Sequence, residues 1–226
     1  MVKVMEQNSE VRSYKYGKWQ VLKVVATANM GVYLGTEDSR VLLPRKQVPA
    51  GTQVGDEIRV FVYKDSSDRP IATINEPKLV LGEIAVLKVK QVTKIGAFLD
   101  WGLEKDLFLP FGQQIEPVKE GMYYPVALYL DRSERLAASM WIDKFIKGAT
   151  PDEKKKKKSL ITLEADAENV YVLIKKMGGC LGYDDKAAPE IIEGDFGLSK
   201  NAFKKAVGVL YKARRLEINP GSIKLI

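Results

Sequence analysis

Lys88, Lys90, Lys94 and Phe98 share one parity of an alternating stretch, and Leu87, Val89, Ala97 and Leu99 share the other. If the apolar set fills a core, the basic set and its ring face water. An exposed ring flanked by lysines suits single-stranded nucleic acid. The ring stacks a base for about 1–3 kcal/mol and the cations follow the phosphates. An earlier stretch repeats the arrangement, with Lys23 and Tyr33 outward and Leu22, Val24, Val32 and Leu34 inward. Phe108, Tyr63, Tyr129, Arg132 and Arg135 extend the candidate surface. The competing reading is that these rings cover a rim of the fold or pack against a neighbouring module.

A second basic set lies near the C-terminus. At helical spacing, Asn201, Lys204, Lys205, Gly208 and Lys212 lie opposite the apolar stripe Phe203, Ala206, Val207 and Leu210, and Arg214 and Arg215 follow. A recognition helix has such a basic outer face. A solvated helix with last-turn cations favouring its macrodipole, or a protein-binding helix, has the same pattern. Lys154–Lys158, five lysines in a row, reads as a solvated tether rather than a phosphate site. Cys180 reads as a small buried apolar residue, and Asp184-Asp185 and the Asp65/Asp68 pair as turn and cap residues.

Other chemistry is excluded by residue type. The 226 residues hold no His and a single Cys. A Ser-His-Asp triad, a Cys-His dyad, a histidine metal site and an internal disulfide are therefore ruled out. There is no GxxxxGK[ST] loop and no GxGxxG after a strand. No enzyme, cofactor or metal is expected. Composition is 46% hydrophobic and 29% charged, with a net charge of +7. That balance is ordinary for a globular protein and leans toward a polyanionic partner. No apolar run approaches the ~20 residues of a membrane span, so no membrane partner is expected. MVKVMEQNSE lacks a signal-peptide core. With one Cys, this points to the cytoplasm.

An internal repeat organises the elements that carry these residues. Gly17-x-Trp19-x-Val21-Leu22-Lys23-Val24 recurs 65 positions later as Gly82-x-Ile84-x-Val86-Leu87-Lys88-Val89. Leu42-Leu43-Pro44 matches Phe108-Leu109-Pro110 at 66, as do Gly55 with Gly121, Tyr63 with Tyr129 and Arg69 with Arg135. Each copy shows period-two strands separated by turn residues, and five short strands in so few residues predict a small closed OB-type barrel. From Gly148 the texture changes to a turn-rich stretch, Gly148-Ala149-Thr150-Pro151-Asp152-Glu153, and then to helical periodicity over Leu160–Lys176, with Val170, Leu173, Ile174 and Met177 on one stripe. Gly178-Gly179 ends that helix, Ala187–Glu193 forms a second with Pro189 in its first turn, and Ser199 caps a third. Residues 215–225 read as a hairpin around Asn219-Pro220-Gly221. The expected fold is mainly β with a C-terminal α+β part: two tandem OB-fold barrels, then a winged helix-turn-helix. The expected boundaries are a leader at 1–13, barrels at 14–78 and 79–147, a Lys-rich linker at 148–159 and the winged-helix domain at 160–226.

Two long motifs resemble a known family. Phe61-Val62-Tyr63-Lys64-Asp65-Ser66-x-Asp68-Arg69-Pro70-Ile71-Ala72-Thr73 and Lys94-Ile95-Gly96-Ala97-Phe98-Leu99-Asp100-Trp101-Gly102-Leu103-Glu104-Lys105-Asp106-Leu107 are similar to the bacterial conserved virulence factor B family. Ser199-Lys200-x-Ala202-Phe203-Lys204-Lys205-Ala206-x-Gly208-x-Leu210-Tyr211-Lys212 resembles its C-terminal winged helix. The resemblance implies S1-type barrels that bind RNA, and regulatory rather than catalytic action. It places Phe98, and a ring near Phe108, on the RNA face. Tyr33 matches Phe98 in the first copy, but Leu42 stands where Phe108 would be, so the first copy is the poorer RNA reader. The family usually carries a further S1-like module before the winged helix, and Lys147 to Leu160 leaves no room for it.

The expected function is binding of single-stranded RNA by stacking and phosphate contact. One alternative is a DNA-binding regulator led by the winged helix, and another is a protein-interaction scaffold with unknown protein partners.

Overall fold

The computed structural model describes residues 13–148 and 150–226. Apart from Ser13 the expected leader lies outside the described residues, as does Ala149 of the turn-rich stretch. The chain forms two compact units. The first holds the described residues up to Leu81 with Gly102–Lys105 and Tyr129–Leu136; the second holds the remainder.

Strands β1 (Trp19–Ala28), β2 (Gly31–Gly35), β3 (Arg40–Pro44), β4 (Glu57–Lys64) and β5 (Pro70–Thr73) close into a barrel in the order β1-β2-β3-β5-β4. The closing pair, β3 with β5, is parallel at Leu42 and Ile71. Val24, Leu34, Leu43, Val60, Val62 and Ala72 fill its core, each fully buried. The period-two reading places these residues inside, because alternate side chains of a strand point to opposite faces. Tyr63 is also buried, so it is not part of an exposed surface. It lies on β4, paired with Ile71 of β5, and its ring tilts against Phe61.

Strands β6 (Ile84–Thr93), β7 (Gly96–Asp100), β8 (Leu107–Pro110), β9 (Tyr123–Leu130) and β10 (Leu136–Ser139) repeat the succession as a five-stranded sheet, β10-β9-β6-β7-β8. The expected closed barrel is completed differently here. In place of a β8–β10 ladder, the Met140 N–H donates to the Gln113 carbonyl at 2.8 Å. Beside it the Ser139 hydroxyl bonds the Gln113 side chain at 2.7 Å and accepts from the Trp141 N–H at 3.2 Å. The first barrel has the same device: Thr73 bonds Gln47 at 2.7 Å and accepts from the Asn75 N–H at 3.0 Å. Thr73 and Ser139 are the buried polar residues among those described, and both are satisfied. The repeat also extends to a turn. The Asp65 carboxylate takes the N–H groups of Ser67 and Arg69 at 2.8 and 3.0 Å. Asp131 takes those of Ser133 and Arg135 at 2.7 and 2.9 Å.

The lysine run is helical, not a tether. Helix α1 spans Pro151–Lys176 and includes Lys154–Lys158. Three local features outweigh the repulsion of like charges. Thr150 and Glu153 form a capping box, Pro151 occupies the first turn, and Asp152 and Glu153 place negative charge at the positive helix end. Lys158 also pairs with Asp143 at 2.7 Å. Gly178 and Gly179, both at positive φ, end the helix, and the Gly179 N–H reaches back to the Ile174 carbonyl at 2.9 Å. Val170 and Ile174 are buried as expected, whereas Met177, at the C-cap, is exposed.

β11 (Cys180–Leu181), α2 (Pro189–Phe196), α3 (Lys200–Lys212), β12 (Leu216–Asn219) and β13 (Ser222–Leu225) complete a winged helix, with its strands in the order β11-β13-β12. Ser199 caps α3 through the Ala202 N–H. Phe203, Ala206, Val207 and Leu210 enter a core with Val170, Ile174, Ile192, Leu216 and Ile223. Cys180 is exposed, contrary to expectation. On a two-residue strand only one side chain can face inward, and Leu181 takes that place.

Within the second unit, α1 is clasped to β9. The Asn169 side chain accepts from the Tyr123 N–H at 2.6 Å and donates to the Tyr123 carbonyl at 2.9 Å. Asn169→Ala removes both partners at once and should cost about 1–3 kcal/mol. Thermal unfolding measures the loss, and amide exchange at Tyr123 should accelerate. At Gly96, φ is +150°, and a Cβ would lie 2.5 Å from the Leu109 carbonyl oxygen and 2.8 Å from the Phe108 ring. Gly96→Ala should lower stability by at least about 1–3 kcal/mol from the backbone conformation alone, read in the same unfolding experiment.

Candidate nucleic-acid interface

The outer face of β7 and β8 carries a pair of rings. Phe98 and Phe108 are cross-strand partners, and their centroids lie 5.3 Å apart at an interplanar angle of 41°. Both are half-buried, while Leu99, Leu107 and Leu109 on the opposite face are enclosed in the core. The strand period therefore places both rings outward together. Each is partly open to solvent and partly covered, Phe108 lying over Gly96.

A bulge alters the basic row beside these rings. Val89 pairs with Leu99, but the next pair is Gln91 with Phe98, so Lys90 is the extra residue. Lys88, paired with Asp100, stays on the Phe98 face, and Gln91 joins it. Gln91 was not legible from simple alternation, because a bulge reverses parity beyond it. Lys90 is turned to Asp106 at 2.8 Å. That hydrogen bond, with the charge of Asp106, holds the Lys90 ammonium above its usual pKa. Lys94 is exposed in the β6–β7 turn.

The first barrel bulges at the equivalent place, since Val24 pairs with Leu34 and Ala26 with Tyr33. Its outward row is Ala26, Tyr33 and Leu42, a single ring where the second barrel has two. The Arg40 guanidinium covers that ring at 4.7 Å from its centroid, a contact that the sequence pattern did not reveal. Lys23 is exposed and lies across from Glu57. Arg132 and Arg135 fall in the β9–β10 turn, which belongs to the first compact unit, apart from Phe98 and Phe108 in the second. Arg132 is exposed, and Arg135 is ion-paired with Asp68.

On the winged helix, Asn201, Lys204, Lys205 and Lys212 are exposed on the side of α3 away from its core stripe. Lys204 lies 3.6 Å from Asp185, and Arg214 is exposed at a φ of 55°. Arg215 does not belong to this face. It forms a two-pronged ion pair with Glu168 of α1, and its guanidinium stacks on the Tyr171 ring at 4.1 Å. The Glu168 hydrogen bond raises its pKa against the opposing effect of burial. The sequence pattern could not separate Arg215 from its basic neighbours, because the acid that holds it comes from a distant helix.

Among the described residues no group of three or more acidic or sulfur side chains is placed to hold a metal ion. No described helix is long and apolar enough to cross a membrane.

The S1 domain family matches residues 16–75 and 81–141, and the CvfB-like winged helix domain family matches residues 168–225. Conserved virulence factor B of Staphylococcus saprophyticus is 24% identical over 242 residues, covering 76% of this chain and 81% of that protein. The uncharacterized protein YitL of Bacillus subtilis is 24% identical over 275 residues, covering 92% of each. That alignment is longer than this chain, so YitL holds internal residues with no counterpart here. A solved Streptococcus pneumoniae multidomain protein with nucleic acid binding domains is 18% identical, with a TM-score of 0.49, covering 93% of this chain and 98% of its own. With two S1 domains followed by a CvfB-like winged helix, the chain belongs to the conserved virulence factor B family.

Proposed function

We propose that the chain is a regulatory protein that binds single-stranded RNA without bond chemistry, led by the second barrel. The observation that carries this reading is the Phe98–Phe108 pair on the outer face of β7 and β8. Bases stack on such rings regardless of sequence, and Lys88 and Lys94 supply phosphate contacts at its edge. The first barrel contributes less. Tyr33 stands without a second ring and Arg40 already occupies one of its faces. The match of both barrels to the S1 domain family supports a nucleic-acid ligand. The relatives' name supports a regulatory role.

The winged helix is the second contact in this reading. Lys204, Lys205 and Lys212 present a basic face, with Arg214 at its end and Asn201 at its start. A regulator that reads duplex DNA through α3 is the second reading, favoured by that same face. Titration with ribo- and deoxyribo-oligomers, single- and double-stranded, at two salt concentrations separates them. Preference for duplex DNA overturns the first reading.

Phe98→Ala should weaken binding of single-stranded RNA by about 1–3 kcal/mol, with the melting temperature nearly unchanged. Tyr33→Ala should weaken it less. Equal losses at the two positions, or a collapse of stability in place of an affinity change, would contradict the assignment. For about 3–5 phosphate contacts, log K should fall against log salt with a slope of about −2 to −4. Reversing Lys204, Lys205 and Lys212 to Glu should reduce affinity and flatten that slope by about 0.7–0.9 per lost contact. Unchanged affinity and slope at moderate salt would remove α3 from the interface.

A further inference from the structure

Two more exposed rings stand at one end of the Phe98–Phe108 platform. Phe111 opens the short 3-10 turn that follows β8 and is 52% exposed. Trp141 follows β10 and is 46% exposed. The backbone holds these two places together. The Trp141 N–H donates to the Ser139 hydroxyl at 3.2 Å, Ser139 bonds the Gln113 side chain at 2.7 Å, and the Gln113 carbonyl takes the Met140 N–H at 2.8 Å. The platform adjoins them. Pro110, just before Phe111, pairs with Gly96 at the start of β7, so the exposed Lys94 in the β6–β7 turn is at the same end. Phe111 is three positions after Phe108, which limits their Cα separation to about 10 Å.

The fold does not require rings at these places. The first barrel builds the same turn with the same bonds, Thr73 to Gln47 and the Asn75 N–H to Thr73, and carries Arg45 and Asn75 there. Large exposed rings that burial does not demand point to a ligand. Their continuity with a stacking platform and with Lys94 favours nucleic-acid bases as that ligand over a protein surface.

We infer that Phe111 and Trp141 form a second stacking station, which lengthens the single-stranded tract held by the second barrel beyond the bases on Phe98 and Phe108. The inference rests on the RNA-binding reading above. It makes the second barrel a reader of tract length, a property the first barrel lacks.

The test uses the full chain, Phe98→Ala, Trp141→Phe and the double variant Phe111→Ala/Trp141→Ala. Oligouridylates from about 4 to about 12 nucleotides are the probe, matching the range of sites on such folds. For the unaltered chain, affinity should rise with length, and binding should quench tryptophan fluorescence. Trp141→Phe should keep the affinity and lose most of the quenching, because Trp101 is buried and the Trp19 ring is covered by Arg59 at 4.3 Å. The double variant should bind short oligomers normally and long ones roughly five- to a hundredfold more weakly. Quenching that persists in Trp141→Phe, or long-oligomer affinity unchanged in the double variant, overturns the inference. If Phe98→Ala weakens binding in that same series, the RNA-binding reading survives alone. If the unaltered chain binds none of the oligomers, both fall.

Discussion

The second barrel's outer face depends on how closely β7 approaches β8 at Gly96. A hydrogen is all that fits there, because the Leu109 carbonyl and the Phe108 ring occupy the space that a Cβ would need. The missing side chain serves two purposes at once. It lets the backbone turn sharply at positive φ, which the β6–β7 corner of a small barrel needs. It also provides the floor on which the Phe108 ring lies, and Phe98 then packs beside that ring. Gly31 meets the same backbone constraint in the first barrel, where the obstructing atoms are backbone atoms of Leu43 and Arg45. There the floor carries no ring, since Leu42 replaces the aromatic residue. A shared steric demand thus supports two different surfaces.

The fold was largely legible because its signals are local or repeated. The 65- and 66-residue offsets exposed the duplication, and alternation identified the cores, since Val89 and Leu99 lie as far inside as their parity implies. Ser199 and the Gly178-Gly179 pair marked helix ends through chemistry confined to a few residues. The lysine run was misread because composition is a weaker guide than capping. Charge repulsion among Lys154–Lys158 is spread over solvent, whereas the Thr150–Glu153 box acts where the helix must nucleate.

The site was less legible, for reasons of distance. Phe98, Phe108 and Tyr33 were found because a strand displays its rings every second residue. What surrounds them depends on partners far away in sequence. Lys90 is claimed by Asp106, Arg135 by Asp68 and Arg215 by Glu168, and a sequence pattern shows none of these pairings. Arg40 over Tyr33 is the same kind of case. Basic residues therefore divide into those held within the fold and those turned outward only when the chain is folded. Counting cations in the sequence overstates the interface.

Helix α1 has a mechanical consequence. Its 26 residues make a rod of about 39 Å, and one short stretch of it grips both neighbours: Asn169 bonds β9, while the adjoining Val170, with Ile174, enters the winged-helix core. A flexible tether would let two attached surfaces sample many separations and would tolerate ligands of many shapes. A stiff strut sets one span. For any ligand long enough to touch both the β7–β8 face and α3, the second contact is strengthened only when the ligand's own geometry matches that span. Rigidity here acts as a calliper: it measures the ligand, and a mismatch forfeits the gain from bivalency.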